Sequence, residues 1–230
     1  MKCVILQPSY IPWRGYFHQI QKADIFVFYD DVQYEKRSWR SRNRIKTPDG
    51  LKWLSIPVLN QGSITKSIPI NEIIIDSSQA DWRKKHFKTL QQSYQKAPFF
   101  AQYEKLLIDF YSRNDKYLAD FTIDFTIALA KELQITETKF MRSSELSATG
   151  KKTERLISIL QKIGATHYIT GGAARDYLEE EKFAESGITF EYMKYDYPEY
   201  PQLYPPFDGH VSVLDLLFMN GENAKNYIWG

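Results

Sequence analysis

Two short apolar runs near the start of the chain, Val4-Ile5-Leu6 and Ile25-Phe26-Val27-Phe28-Tyr29, restrict the fold more than any other feature. Continuous apolar runs of this length belong to strands covered on both faces. Gln7-Pro8 ends the first run, because a proline cannot donate to a strand ladder. The turn that follows, Ser9-Tyr10-Ile11-Pro12-Trp13-Arg14-Gly15, holds two prolines and a glycine and should be stiff. Residues 16–23 have room for a helix of about two turns, with Phe17 and Ile20 facing inward. A parallel strand pair with a helical crossover is the simplest arrangement of these parts. The expected fold is α/β, Rossmann-like, with a mostly parallel sheet.

The rest of the chain fits that frame around a helical middle. Residues 52–58 read as a third strand, 59–67 as an exposed loop and 68–75 as another strand. Residues 80–95, 99–111 and 116–134 read as three helices. In the second of these, Phe99, Tyr103, Leu106 and Phe110 share a face; in the third, Leu118, Phe121, Phe125 and Leu129 do. Strand patterns return at 139–141, 166–170 and 188–195, with helices at 153–163 and 213–219. The organisation expected is an N-terminal half of an α/β domain over 1–79, a helical insertion or lid over 80–134, and the C-terminal half over 135–230.

Composition excludes several classes. The net charge of +2 is too small to mark a nucleic-acid binder by itself, so any electrostatic argument is local. One cysteine, Cys3, rules out an intrachain disulfide and fits a reducing compartment, and its apolar neighbours make it a buried small hydrophobe. No run approaches the length of a spanning helix, and the start lacks the apolar core of a signal peptide, so a cytoplasmic location is expected. Oligomeric state is not written in the sequence. Aromatic residues make up 15%, and Tyr and Trp suit pockets that stack on bases or sugars as well as ordinary packing.

Candidate site residues gather at strand ends. Residues 36–46 carry Lys36, Arg37, Arg40, Arg42, Arg44 and Lys46, with Trp39 and Asn43 between them, and read as a basic loop able to neutralise phosphates or as a solvated one. Gln7, Tyr10, Trp13 and Gly15 lie in the first turn, where Gly15 can bring backbone close to a ligand. Gly171-Gly172 after a late strand can turn amides toward an anion. Ser212 at a helix start, like Ser143-Ser144, offers a hydroxyl to a phosphate or caps the helix. Asp30 and Asp31 end a central strand, the place for a hydroxyl-binding or catalytic carboxylate, and at most one of them faces a ligand. His18 and His210 are the acid/base candidates, whereas His167 reads as a satisfied core histidine and His86 as a mid-helix one. No histidine has metal-ligand spacing, and no nucleophile elbow, Walker loop or GxGxxG occurs.

With these residues laid out, the chain resembles the WbqC-like family of bacterial proteins. The resemblance is carried by Gln7-Pro8-Ser9-Tyr10-Ile11-Pro12-Trp13 with Gly15-Tyr16-Phe17, by Ala23-Asp24-Ile25-Phe26-Val27-Phe28 with Asp30-Asp31-Val32-Gln33-Tyr34, and by Arg42-Asn43-Arg44-Ile45-Lys46. Late stretches such as Gly164-Ala165-Thr166-His167-Tyr168-Ile169-Thr170-Gly171 and Ser212-Val213-Leu214-Asp215 continue it. Many members carry a histidine just before Gln-Pro, where this chain has Leu6, so no role for that imidazole transfers. The resemblance implies surface-polysaccharide (O-antigen) biosynthesis, with a nucleotide-linked amino sugar as substrate and an acyl or aminoacyl group joined to it in amide linkage. ATP with magnesium is the activating cofactor such a ligation would use. A non-catalytic nucleotide-sugar-binding protein is the alternative, and an RNA-binding or RNA-modifying protein a more distant one that the low net charge argues against.

A second likeness, at the level of the fold, is to the nucleotidylyltransferase superfamily, where a strand leads into an HxGH turn. Trp13-Arg14-Gly15-Tyr16 keeps only the glycine of that turn, and Ser212-Val213-Leu214-Asp215 keeps a serine without the basic residue. The groups that would stabilise a departing phosphate are therefore missing, which speaks against nucleotidyl transfer while leaving the fold likeness intact.

Overall fold

The two apolar runs form strands β1 (Lys2–Leu6) and β2 (Ile25–Phe28), connected by helix α1 (Arg14–Lys22) and paired in parallel, with Cys3 opposite Ile25 and Leu6 opposite Phe28. They belong to a computed structural model that describes residues 1–59, 67–79, 81–176 and 178–229. Beyond β2 come the hairpin strands β3 (Arg42–Thr47) and β4 (Gly50–Ser55), then the two-residue strands β5 (Val58–Leu59) and β6 (Ile74–Ile75). Helices α2 (Trp82–Tyr94), α3 (Phe100–Tyr111) and α4 (Leu118–Glu132) form the middle. The α/β pattern resumes with β7 (Lys139–Arg142), α5 (Lys152–Lys162), β8 (His167–Thr170), α6 (Glu180–Glu185), β9 (Thr189–Tyr192) and α7 (Val213–Asn220).

The central sheet has five strands in the order β7-β2-β1-β8-β9, all parallel. The chain builds outward from β1 on one side through β2 and β7, then crosses back to place β8 and β9 on the other. This is the doubly wound Rossmann-like order, and its direction reverses between β1 and β8. Alternate residues of the inner strands feed two cores. Val4, Phe26 and Phe28 pack with Phe17 and Ile20 of α1 and with the three middle helices. Cys3, Ile5 and Val27 face Ile159 and Leu160 of α5 and Phe183 of α6. Cys3 is fully buried, and burial pushes its thiol up to about 12, as a packing residue requires.

The middle helices share the first of these cores with α7, so they form one layer against the sheet. In α4 the residues Leu118, Phe121, Phe125 and Leu129 are buried as the periodicity predicts. In α3 the buried stripe is Phe100, Tyr103, Leu107 and Phe110, turned by one position from the expected Phe99 and Leu106.

Three local expectations are corrected. The basic segment is not a loop throughout, because its second half is β3, paired antiparallel with β4 so that Arg44 faces Trp53. The strand expected over 52–58 starts earlier, at Gly50, and stops at Ser55, since Pro57 has no amide to donate. The strand expected over 68–75 reduces to Ile74–Ile75 after a 3₁₀ turn at Ile70–Glu72. The exposed loop expected over 59–67 lies, apart from its two ends, outside the described residues.

A buried polar chain joins the first turn to this helical layer. The Tyr10 hydroxyl lies 2.8 Å from His86 Nδ1 and 2.5 Å from the Tyr111 hydroxyl. His86 also bonds the backbone of Ser55, and burial lowers its imidazole from 6.5 to about 4. The unfolded chain therefore binds a proton below pH 6.5 that the folded chain refuses until about pH 4. Stability is full above pH 6.5 and falls on acidification through that window. Between pH 7 and pH 5 the loss from this residue is about 2 kcal/mol. In urea titrations, His86→Leu is expected to flatten this part of the pH dependence relative to the parent.

Candidate functional site

Open α/β sheets bind ligands outside the carboxyl ends of their strands, where the strand order reverses. Here that point lies beyond β1 and β8, and a cleft of about 400 Å³ opens there. Its floor comes from Leu6 and Gln7 after β1 and from Gly171 and Gly172 after β8. Trp13, Tyr195 and His210 also line the cleft, together with Trp39, Arg40, Asn43 and Arg44. Eight of the sequence candidates thus meet in one place: Gln7, Trp13, Arg40, Asn43, Arg44, Gly171, Gly172 and His210. A cleft of about 500 Å³ beside Trp82 and Lys85 is a weaker candidate, because its imidazole, His86, is already bonded to Tyr10 and Ser55.

The first turn is held in an unusual shape. Ile11 has φ of 37°, a left-handed conformation that costs a β-branched residue energy and persists only where neighbours enforce it. Asn43 supplies that enforcement from β3: its side-chain amide donates to the carbonyls of Tyr10 and Ile11, at 3.1 and 2.9 Å, while its oxygen accepts from the Arg44 amide. Asn43 is 3% exposed, so these bonds are made out of water. The Tyr10 amide in turn donates to the Trp39 carbonyl at 3.0 Å. The basic segment and the first turn are therefore one assembly.

Gly15 serves this assembly differently from the sequence expectation. What approaches its backbone is the Trp13 indole, whose ring carbons lie 2.3–2.7 Å from where a Cβ would stand. Trp13 then stacks on His210, with centroids 6.2 Å apart and planes at 20°, and meets Tyr195 edge-on at 5.2 Å.

Arg40 donates to the Gln7 carbonyl and the Ser9 hydroxyl, at 3.2 and 3.1 Å, and its Nε has no partner. Burial lowers its pKa from the ordinary value, opposed in part by Tyr16, Glu35 and Tyr34. Arg44 donates to the His210 carbonyl at 3.1 Å and also has an unpartnered Nε. Among the described residues neither guanidinium forms an ion pair with a carboxylate. Two guanidinium groups lining one cleft without an ion-pair partner create a positive field there.

The cleft lining also contains a polar group that sequence reasoning missed. Gln19 of α1 is 4% exposed, lines the cleft, and has a side-chain oxygen without a partner. Its amide meets the Tyr195 hydroxyl, whose pKa burial raises to about 12. Whichever way that amide is turned, one end meets Tyr195 and the other is left over. Only the three-dimensional meeting of α1 with the segment after β9 makes Gln19 notable.

His210 stands at the cleft mouth with its side chain 78% exposed. Its amide donates to Asp208 Oδ1 at 2.7 Å, and its Nδ1 is 3.5 Å from the same oxygen, so the carboxylate can orient the imidazole. Gln202 fixes Asp208 by donating to its carbonyl and accepting from its amide, at 3.0 and 2.9 Å, and anchors on buried Asp215 at 2.8 Å.

The remaining candidates lie elsewhere. Tyr10 turns its hydroxyl into the core. Arg42 faces outward over Trp53. Ser212 is buried and caps α7, accepting from the Leu214 amide at 3.3 Å; its own amide donates to the Arg44 carbonyl. His18 is half-buried beside Tyr197, with Nδ1 2.9 Å from that hydroxyl, and burial together with Lys22 lowers its pKa. Asp30 is fully buried and accepts from the amide and hydroxyl of Ser144, while Asp31 pairs with Arg155. His167 is satisfied by Thr189 at 2.7 Å but sits at the sheet rim, 26% exposed, rather than in the core. No three His, Cys, Asp or Glu residues stand together as a metal site among the described residues.

A model of the WbqC-like protein family matches residues 7–227, nearly the whole chain. The chain belongs to the WbqC-like protein family. This WbqC-like protein is 39% identical over 229 residues to the uncharacterized protein Rv1507c of Mycobacterium tuberculosis, covering 99% of the chain and 97% of that protein. No solved structure matches it. No helix among the described residues is long and apolar enough to cross a membrane.

The Asn43 clamp gives a direct expectation. Asn43→Ala leaves the Tyr10 and Ile11 carbonyls buried without donors and should cost about 2–4 kcal/mol in a urea titration. Asn43→Asp, which has no amide hydrogen to donate, should be no better.

Proposed function

We propose that this WbqC-like protein binds a nucleotide-linked amino sugar in the cleft beyond β1 and β8 and joins an acyl or aminoacyl group to its amine, as part of bacterial surface-polysaccharide assembly. The observation that carries the binding half is the pair Arg40 and Arg44, both lining that cleft and neither in an ion pair with a carboxylate. Guanidinium groups offer paired donors that match phosphate oxygens. The family resemblance supplies the polysaccharide context and the amide chemistry.

In this reading Arg40 and Arg44 hold the phosphates, and the free end of the Gln19 amide hydrogen-bonds the sugar. The sugar amine attacks the carbonyl carbon of an activated acyl donor. A C–N bond forms, the donor's leaving group departs with its electron pair, and the amine proton passes to His210, oriented by Asp208. ATP with magnesium is the proposed means of activating a free carboxylate donor. Cytosol, where nucleotide sugars are made, is the location this chemistry requires.

The test is incubation of the purified chain with UDP- and dTDP-linked amino sugars, ATP, magnesium and a panel of acyl and amino-acid donors, followed by mass spectrometry. A mass gain equal to the acyl group is expected. Arg40→Ala should reduce kcat/KM about 100-fold, and Arg40→Lys should recover part of it. Tight nucleotide-sugar binding with no product from any donor would instead support a carrier that presents the sugar to a partner enzyme. Absence of both binding and product would remove the proposal.

A further inference from the structure

Two of the most exposed aromatic residues stand together beside the cleft. Trp39 is 43% and Trp53 42% exposed, and their ring centroids are 5.2 Å apart at 40°. Single exposed apolar residues are ordinary, but this pair is braced. The Trp39 carbonyl accepts from the Tyr10 amide, and Trp53 lies on β4 directly opposite Arg44. The Arg42 guanidinium sits 4.2 Å from the Trp53 ring centre, and that of Arg44 lies 5.7 Å from Trp53 and 5.8 Å from Trp39. These cation–π contacts hold both indoles and both charges on one face of the hairpin. Rings already fixed in place lose little entropy when a ligand stacks on them.

The face is continuous with the anion site, since Trp39 and Arg44 belong to both. A matching occupant is flat and aromatic at one end and anionic a few ångströms away. A nucleotide has that form.

We propose that Trp39 and Trp53 are a stacking platform for the nucleobase of the ligand whose phosphates lie against Arg40 and Arg44, an assignment that rests on the nucleotide reading above. The ligand then runs in one direction, with its base outside on the hairpin and its sugar inside toward Gln19 and Tyr195. The platform meets the base through ring faces and cations, so it grips pyrimidine and purine nucleotides alike.

Calorimetry on the full chain with UDP, ADP and inorganic pyrophosphate tests this, because pyrophosphate has charge without a base. The parent should bind both nucleotides at least tenfold more tightly than pyrophosphate, the size of a base–aromatic stack. Trp53→Ala should erase most of that advantage, with pyrophosphate affinity falling several-fold less than nucleotide affinity because Trp53 also braces Arg44, and Trp53→Phe should restore part of the advantage. Pyrophosphate binding that persists in the variant also shows that it is folded.

Equal affinity of the parent for nucleotides and pyrophosphate, or a nucleotide advantage that survives Trp53→Ala, overturns the platform. If Arg40→Ala still abolishes pyrophosphate binding in that event, the anion site stands and only the platform falls. If the parent binds none of the three, the anion site and the platform fall together. Tighter Trp53-dependent binding of a single-stranded oligonucleotide than of UDP overturns the small-ligand assignment in favour of a nucleic-acid strand.

Discussion

The bonds from the Asn43 amide to the carbonyls of Tyr10 and Ile11 are the contact on which this site depends. They cross from the β3–β4 hairpin to the turn after β1, two segments that the sheet does not otherwise join. Without them the left-handed Ile11 would relax, because nothing local favours that conformation for a β-branched side chain. The Trp39 carbonyl reinforces the same junction by accepting from the Tyr10 amide, while the Ser212 amide ties β3 to the start of α7 by donating to the Arg44 carbonyl. A conformation this unfavourable, held by buried bonds beside a cleft, marks a place where shape matters more than local stability.

The electrostatics divide the charged residues into two kinds. Asp31 and Arg155 neutralise each other, and Asp30 is surrounded by the amide and hydroxyl groups of Ser143 and Ser144. These groups close the carboxyl ends of β2 and β7 and leave no free valence there. Arg40 is different, since burial disfavours its charge and only the more distant Tyr16, Glu35 and Tyr34 oppose that effect, none of them in an ion pair with it. Its partners are a carbonyl, a hydroxyl and, at Nε, nothing. A half-buried guanidinium without an ion pair keeps its charge at a cost that a fully paired one avoids.

Much of the fold was legible because it rests on local patterns. The runs 4–6 and 25–29, the Pro- and Gly-rich turn and the short helix specified a parallel unit, and β1, α1 and β2 form it, with β2 ending one residue early at Phe28. The 3.6-residue repeat placed Leu118, Phe121, Phe125 and Leu129 on the buried face of α4. The hairpin was less legible: Arg, Asn and Lys dominate β3, and a strand whose outward face is cationic has little apolar alternation to betray it. Part of the site was legible for a related reason, since strand ends and glycines recur where α/β sheets bind ligands. Gln19 and Tyr195 were not, because neither has a sequence neighbour that marks it and their meeting depends on how α1 packs against the chain beyond β9.

The same separation of local from long-range effects bears on the two imidazoles. His18 shares its helix with Gln19, yet successive helical residues point in directions about 100° apart, and the turn that aims Gln19 at the cleft aims His18 at Tyr197. There burial and Lys22 both oppose its protonation. His210 reaches the cleft by a longer route, through a segment ordered by Gln202 and anchored on Asp215 in α7. It is open to solvent, stacked on Trp13 and close to a carboxylate that can hold its orientation. Of the two histidines, only His210 therefore lines the cleft with its imidazole accessible, the geometry that acid–base work on a bound ligand would require.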